Sequence, residues 1–486
     1  MLQGQGRTSH AGRDTVERDP LRVRMEPMSS LELDVQQWAE KQFGKCDLGD
    51  VRRTRRAVKV AAQMASFPNG SLPNQIEGWS DLKAAYRLFD QENVTFDALA
   101  MPHWELTRST AQGTCLVIND TMETDFGIHR RVEGLGPTGD GGGRGFMLHS
   151  SLLVQADTRE VLGLAGQELF YRRPTNRARE NSYERTQRPR ESEVWGRVID
   201  RVGPPAPGVK YLHVCDRGAD NIEVFCHCRE QQAGWVIRAT QLNRLVETPE
   251  GENVNLDAWV AAQEVLGTYE MELRATGKQA ARTAKLEVRA ARVVLILPRR
   301  KTPYLRRIGP QRIDGWVVEA SEVGSPQGIE PLHWMLYTSE RAENFEEAWR
   351  ILEYYECRWL IEEFHKAVKT GCRLEMHQQM EARRLEAVAG MVCVLAVRLL
   401  QLKSIANERP EAKAEQVAPQ AWLTMLRSLR KAPIRTVKDF VRHLAGLGGF
   451  LMRKGDGEPG WITLWRGVDK LLLCLRGAQT VNKNCG

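Results

Sequence analysis

The chain has 486 residues, enough for three or four domains with cores of their own. Its 69 Lys and Arg against 62 Asp and Glu leave a net charge of +7 and a pI near 8.9, a modestly basic balance that admits nucleic acid as a partner without requiring it. No run reads as a membrane span, no apolar secretory leader is present, and the 10 cysteines lack regular spacing, which together point to free thiols in a reducing, cytoplasmic compartment.

Residues 1–30, rich in Gly, Arg, Asp and Ser, read as a disordered leader, with Met25 or Met28 expected as the natural start. From residue 31 to about 100 the pattern is helical: two helices joined at Gly44–Gly49, then a third over SDLKAAYRLFDQ with Ser80 expected as its N-cap. The second of these helices carries Arg52, Arg53, Arg55 and Arg56, residue types that suit phosphate contacts and groove entry. A solvated helix face is the alternative reading.

After a helix near Met101–Ala111 the apolar run TCLVIND predicts a central strand that delivers Asp120 at its tip. The glycine-rich GLGPTGDGGGRG lacks the Gly-Lys-Ser/Thr ending of a phosphate loop and reads as a hairpin connection. Strands over FMLHSSLLVQAD and VLGLAGQELFYR follow, then a strongly charged stretch (172–193) that reads as an exposed loop. A helix, EVWGRVIDRV, leads to a second apolar strand, VKYLHVCD, ending on Asp216. The group Cys226-His227-Cys228 lacks a second Cys or His pair at zinc spacing and reads as incidental thiols. Residues 234–340 alternate like β structure throughout, and the sequence beyond 371 is mainly helical.

Between Asn344 and Cys372 no Pro or Gly intervenes before Gly371, which predicts one long helix. At about 100° per residue, Tyr355, Arg358, Glu362, Lys366 and Lys369 fall within roughly 80° of arc. Cys357, Leu360, Ile361, Phe364, Ala367 and Val368 cluster opposite, so one face is expected to be buried and the other to present a carboxylate among cations. Two strand-borne acids and one helix-borne acid are a recurrent means of holding two divalent cations. Such ions activate an attacking oxygen and stabilise a leaving one in phosphoryl displacement. Asp120, Asp216 and Glu362 supply these ligands on a ribonuclease H-like sheet.

The spacing Tyr355-x2-Arg358-x3-Glu362-x6-Lys369 resembles the Tyr-Arg-Glu-Lys signature of DDE transposases in the insertion-sequence-four family. The likeness spans about 31–470 and includes FGKCDLGDVRRTRR, AAYRLFD, IND, VCDRGAD, YYECRWLIEEFHKAVKTG and GGFLMRKGDGEPGWITLWRG. The resemblance implies an α/β multidomain protein. Residues 31–100 would bind DNA ends, a ribonuclease H-like core over 101–233 and 341–400 would carry a β-rich insertion over 234–340, and 401–486 would dimerise. It further implies cut-and-paste transposition with Mg²⁺, two ions per site with Mn²⁺ able to substitute, by a homodimer acting on inverted-repeat ends and target DNA near the nucleoid. Asp120, Asp216 and Glu362 would be the metal ligands, and Tyr355, Arg358, Lys366 and Lys369 would grip phosphates. Trp334 matches the family's base-stacking aromatic of the hairpin step, although a core position is its plain reading. Arg238 matches a DNA-contacting arginine. Phe146-Met147 replaces the family's paired Trp, which weakens any aromatic probe there. A domesticated, catalytically silent DNA-binding protein is the rival reading. A carboxylate-pair glycosidase has no use for the cations beside Glu362.

Overall fold

The computed structural model describes residues 34–127, 132–172, 181, 184, 189–273, 281–453 and 456–484. The expected leader and most of the charged stretch over 172–193 lie outside them. The chain divides into two units, Met28–Leu212 with Cys357–Gly486, and His213–Glu356.

In the first unit, helices α1 (Val35–Phe43), α2 (Val51–Ser66), α3 (Leu72–Gln75), α4 (Trp79–Phe89) and α5 (Phe96–Ser109) come in succession. Asp34 caps α1 in a reciprocal capping box with Gln37, and the Asp50 side chain caps α2 by accepting from the Arg52 N–H at 2.8 Å. Ser80 is not the N-cap of α4: Gly78 takes that place at φ +82°, so the helix starts two residues earlier than that cap implies, on Trp79. Trp38, Phe43, Ala57, Ala61, Ala85 and Phe89 form the buried interior of these helices.

Strands β1 (Gly113–Asp125) and β4 (Val161–Phe170) flank β3 (Gly143–Gln155), both antiparallel to it, and β2 (Gly136–Thr138) pairs with the start of β3. The glycine-rich stretch is thus the expected hairpin. Ten consecutive residues of β3 are buried, the pattern of a strand covered on both faces. Helices α5, α6 (Val194–Val202) and the apolar helix Ala382–Glu408 lie against β4. Within that last helix, Ala382–Ala406 is long and apolar enough to cross a membrane, but 89% of its apolar window is buried inside the protein, so its hydropathy serves the core. Phe146 and Met147 are buried as well, Phe146 against Phe126 and Tyr171, so neither is a surface probe.

Strand β5 (Val209–Cys215) leads into the second unit, where α7 (Ile222–Glu230) follows. Its sheet runs β6 (Gly234–Arg238), β12 (His333–Thr338), β11 (Ile313–Val323), β10 (Arg282–Leu295), β7 (Leu245–Glu247) and β8 (Asn253–Asn255), with β9 (Gly267–Leu273) on the other part of β10. Short helices α8 (Leu256–Ala261) and α9 (Pro303–Ile308) interrupt it. Cys226 and Cys228 are buried on α7, and His227 stacks on Tyr304 at 4.1 Å.

Helices α10 (Phe345–Glu356) and α11 (Trp359–Lys366) replace the single long helix expected. The apolar helix is then α12, followed by α13 (Gln420–Arg430), α14 (Val437–Leu447) and α15 (Trp461–Asn484). The last three share a core of Leu423, Leu426, Phe440, Leu444, Leu464 and Leu471. Helices α14 and α15 touch backbone to backbone, since a Cβ on Gly467 would lie 1.8 Å from the Leu444 carbonyl oxygen. That contact explains the glycine in the WRG segment.

Candidate active site

Asp120 lies in the middle of β1, opposite Ser150 of β3, and not at the strand tip as expected. The apolar run ends there, but alternation resumes through Thr121, Met122 and Thr124, which keeps the ladder intact to Asp125. The neighbourhood is tightly bonded. Asn119 is fully buried and its Oδ1 accepts from the Ser151 hydroxyl at 2.5 Å, while Thr121 Oγ1 meets His149 Nδ1 at 2.7 Å. Asp120 Oδ1 accepts from the Thr121 N–H at 2.7 Å.

Arg358 brings the helix-borne acid to this strand. Its Nη1 stands 3.3 Å from Asp120 Oδ2 and 3.6 Å from Glu362 Oε1. Arg358 sits at the break between α10 and α11, where three-residue hydrogen bonds (Leu360 N–H to Cys357 O, 2.9 Å; Ile361 N–H to Arg358 O, 3.2 Å) replace the α ladder. The break ends the expected stripe: Tyr355, in the last turn of α10, is only 5% exposed and packs its ring edge-on to Trp334 at 5.6 Å. Glu362, Lys366 and Lys369 remain on the outer side of α11 and of the π turn that follows it, Ala367–Gly371. Lys366 is exposed and lies over the Trp359 ring, while Lys369 Nζ is 3.3 Å from Glu375. Of the expected inner face Cys357, Ile361, Phe364, Ala367 and Val368 are buried, whereas Leu360, at the helix break, is only half-buried. Burial, reinforced by Lys369 and Arg358, pushes His365 down to about 3, so it adds no charge to the row at neutral pH.

Glu363 is the residue that the sequence did not single out. Its side chain is 6% exposed and meets Lys366 at 3.1 Å, Lys403 of α12 and the Trp461 indole N–H of α15. Burial alone would raise its pKa, but attraction to Lys403 and the bonds from Lys403, Trp461 and Lys366 outweigh it and hold the carboxyl below its ordinary value. The adjacent Glu362-Glu363 pair therefore splits into an outward acid and an inward anchor.

In the second unit Asp216 immediately follows β5, as expected, and caps the turn Arg217–Ala219 by accepting from the Gly218 N–H at 2.7 Å. Trp334 is half-buried on β12, and Arg238 ends β6 with Nη2 donating to the His333 carbonyl at 2.9 Å. Among the four arginines of α2, Arg52 and Arg55 face solvent. Arg53 donates to the Leu48 carbonyl, and Arg56 pairs with Asp81 at 2.6 Å.

Among the described residues no three His, Cys, Asp or Glu side chains converge as a preformed metal cage. The donor chemistry nonetheless fits a hard divalent cation, because Asp120 and Glu362 offer carboxylate oxygens to one shared positive charge.

Comparison with known families is consistent with this arrangement. Residues 35–94 match a transposase DNA-binding model, 183–398 a transposase DDE domain, and 394–484 the transposase Tn5 dimerisation domain. The chain carries Tn5-type transposase domains. As a DNA transposase it combines DNA binding, a nuclease-type catalytic domain of a class that uses divalent metal, and a dimerisation domain. Arg52, Arg53, Arg55 and Arg56 lie in the first match and Asp216 and Glu362 in the second, whereas Asp120 precedes the DDE match.

Proposed function

We propose that this transposase is a cut-and-paste enzyme of the insertion-sequence-four family, with a ribonuclease H-like core, that acts on the inverted-repeat ends of its element. The observation that supports it most is the Arg358 bridge, in which one guanidinium reaches Asp120, 238 residues away, and Glu362, one helical turn on, beside exposed cations. Asp120, Asp216 and Glu362 would hold two Mg²⁺ ions, with Mn²⁺ able to substitute. When bound, the ions polarise the attacking and leaving oxygens of phosphoryl transfer.

The chain's own groups do the rest. Arg358, Lys366 and Lys369 grip phosphates around the scissile bond. Water cleaves one strand, the freed 3′-OH attacks the opposite strand to form a hairpin, water reopens it, and the same 3′-OH attacks target DNA. Trp334 stacks a base flipped out for the hairpin step, Tyr355 backs that ring, and Arg238 contacts the DNA. Residues 31–100 hold the end repeat and 401–486 pair two copies, working at the chromosome in the cytoplasm. Replacing Asp120, Asp216 or Glu362 by Ala is expected to abolish cleavage of end DNA while end binding persists in a gel shift. Wild-type cleavage that continued in excess chelator would overturn the metal assignment.

A further inference from the structure

The outer face of α4 carries a feature that neither the catalytic site nor the arginines of α2 account for. Trp79, at its first position, is 75% exposed, the most exposed large hydrophobic side chain among the described residues. Gly78, with φ +82°, stands just before it as the N-cap. One and two turns along the same face stand Lys83 and Arg87, both exposed, while Leu82, Ala85, Leu88 and Phe89 are turned inward. The acid of the first turn, Asp81, is neutralised from the side by Arg56 and Lys59 of α2 at 2.6 and 2.7 Å.

We infer that Trp79, Lys83 and Arg87 form the face of α4 that reads the duplex at the element's end, with Trp79 as a specificity-determining contact. An indole this exposed gains from burial only against a partner with apolar surface, and its N–H suits a boundary that is partly wet. The cations beside it select a polyanion, and duplex DNA alone among common polyanions offers flat apolar base edges and thymine methyls within reach of a helix. A single α-helix fits the major groove, and an aromatic at its end meets methyl groups or wedges at a base step. Lys83 and Arg87 then carry the sequence-independent part of the affinity and Trp79 the selective part. The inference rests on the reading that the N-terminal helices bind the element's ends, and it lies within the residues that match a transposase DNA-binding model.

The test uses the full-length protein and two labelled duplexes, the inverted repeat that flanks the element and a scrambled duplex of the same composition. Fluorescence anisotropy at two salt concentrations is read for wild type, Trp79→Ala, Trp79→Phe and Lys83→Ala. Trp79→Ala is expected to lose about tenfold on the end duplex, the size of one lost base-pair contact, with little change on the scrambled one and an unchanged salt slope. Trp79→Phe should keep most of the preference. Lys83→Ala should weaken both duplexes alike and lower the salt slope by about one. A Trp79→Ala protein that keeps the wild-type preference overturns the inference. So does one whose mass by light scattering changes while selectivity stays, because the indole would then be a contact between copies. A wild-type protein with no preference for the end duplex would instead remove the end-binding reading itself.

Discussion

Arg358 is the residue on which the candidate site turns. It lies between Asp120 and Glu362, so two carboxylates that would repel one another are held at a single cation. Its side chain is only 17% exposed, which strengthens the attraction relative to a surface pair. Trp334 poses a different question at the same scale. Half-buried and edge-on to Tyr355, its ring is supported from one side and reachable from another. If a flipped base stacks there during hairpin formation, Trp334→Ala should cost that state about 1–3 kcal/mol. The first nick needs no flipped base and should be spared. On a denaturing gel of labelled end DNA, nicked strand is expected to accumulate while hairpin product falls. A parallel decline of both would assign Trp334 to holding β12 against α10 instead.

At the scale of elements, the stretch between Asn344 and Cys372 shows both the reach and the limit of the sequence. Helical periodicity identified the apolar residues Ile361 and Phe364 that α11 buries, because an apolar face depends on spacing, but it left out Glu363 and His365, which are buried too, and it included Leu360, which is only half-buried. It missed the break at Cys357–Arg358, since nothing local to those residues interrupts a helix; the turn is tightened where Arg358 reaches a strand distant in sequence. It could not separate Glu362 from Glu363 either, as both are helix-compatible acids and only the positions of Lys403 and Trp461 distinguish them. The two neighbours should therefore behave oppositely. Glu363→Ala leaves Lys403 largely buried without its partner and should cost about 3 kcal/mol of stability. Glu362→Ala, at a side chain 36% exposed, should move stability by no more than about 1 kcal/mol while eliminating cleavage. Thermal unfolding beside a cleavage assay reads both, and equal melting temperatures for the two variants would refute the anchoring role of Glu363.

Across the whole chain, the three family matches run from a DNA-binding through a DDE to a dimerisation domain, and the motifs in them are compact enough to be read without knowledge of their partners. Contacts between distant segments were not legible, and one of them carries a titratable switch in stability. Asp469 of α15 accepts a hydrogen bond from the Asn69 side chain, in the loop before α3, so it joins residues 400 positions apart. Burial pushes its carboxyl up from 3.8 to about 7, and Arg373 and Asn69 only partly oppose the rise. In the unfolded chain the group ionises near its ordinary value, so between about pH 4 and pH 7 the folded state binds more protons than the unfolded one. The sign follows: this contribution to stability is fully present below the unfolded pKa and is lost as pH rises through the folded one. Asp469→Asn mimics the protonated acid at every pH and keeps an oxygen to accept from Asn69. Wild type and variant should then melt together near pH 4, and the variant should melt higher at pH 8. After allowance for the solvent that reaches this partly exposed group, the gap should be about 1–2 kcal/mol, or about 2–6 °C. Melting curves of both proteins at pH 4, 6 and 8 measure it directly. A gap that stays constant from pH 4 to 8 would mean that Asp469 is ionised throughout, and that Arg373 and Asn69 outweigh its burial.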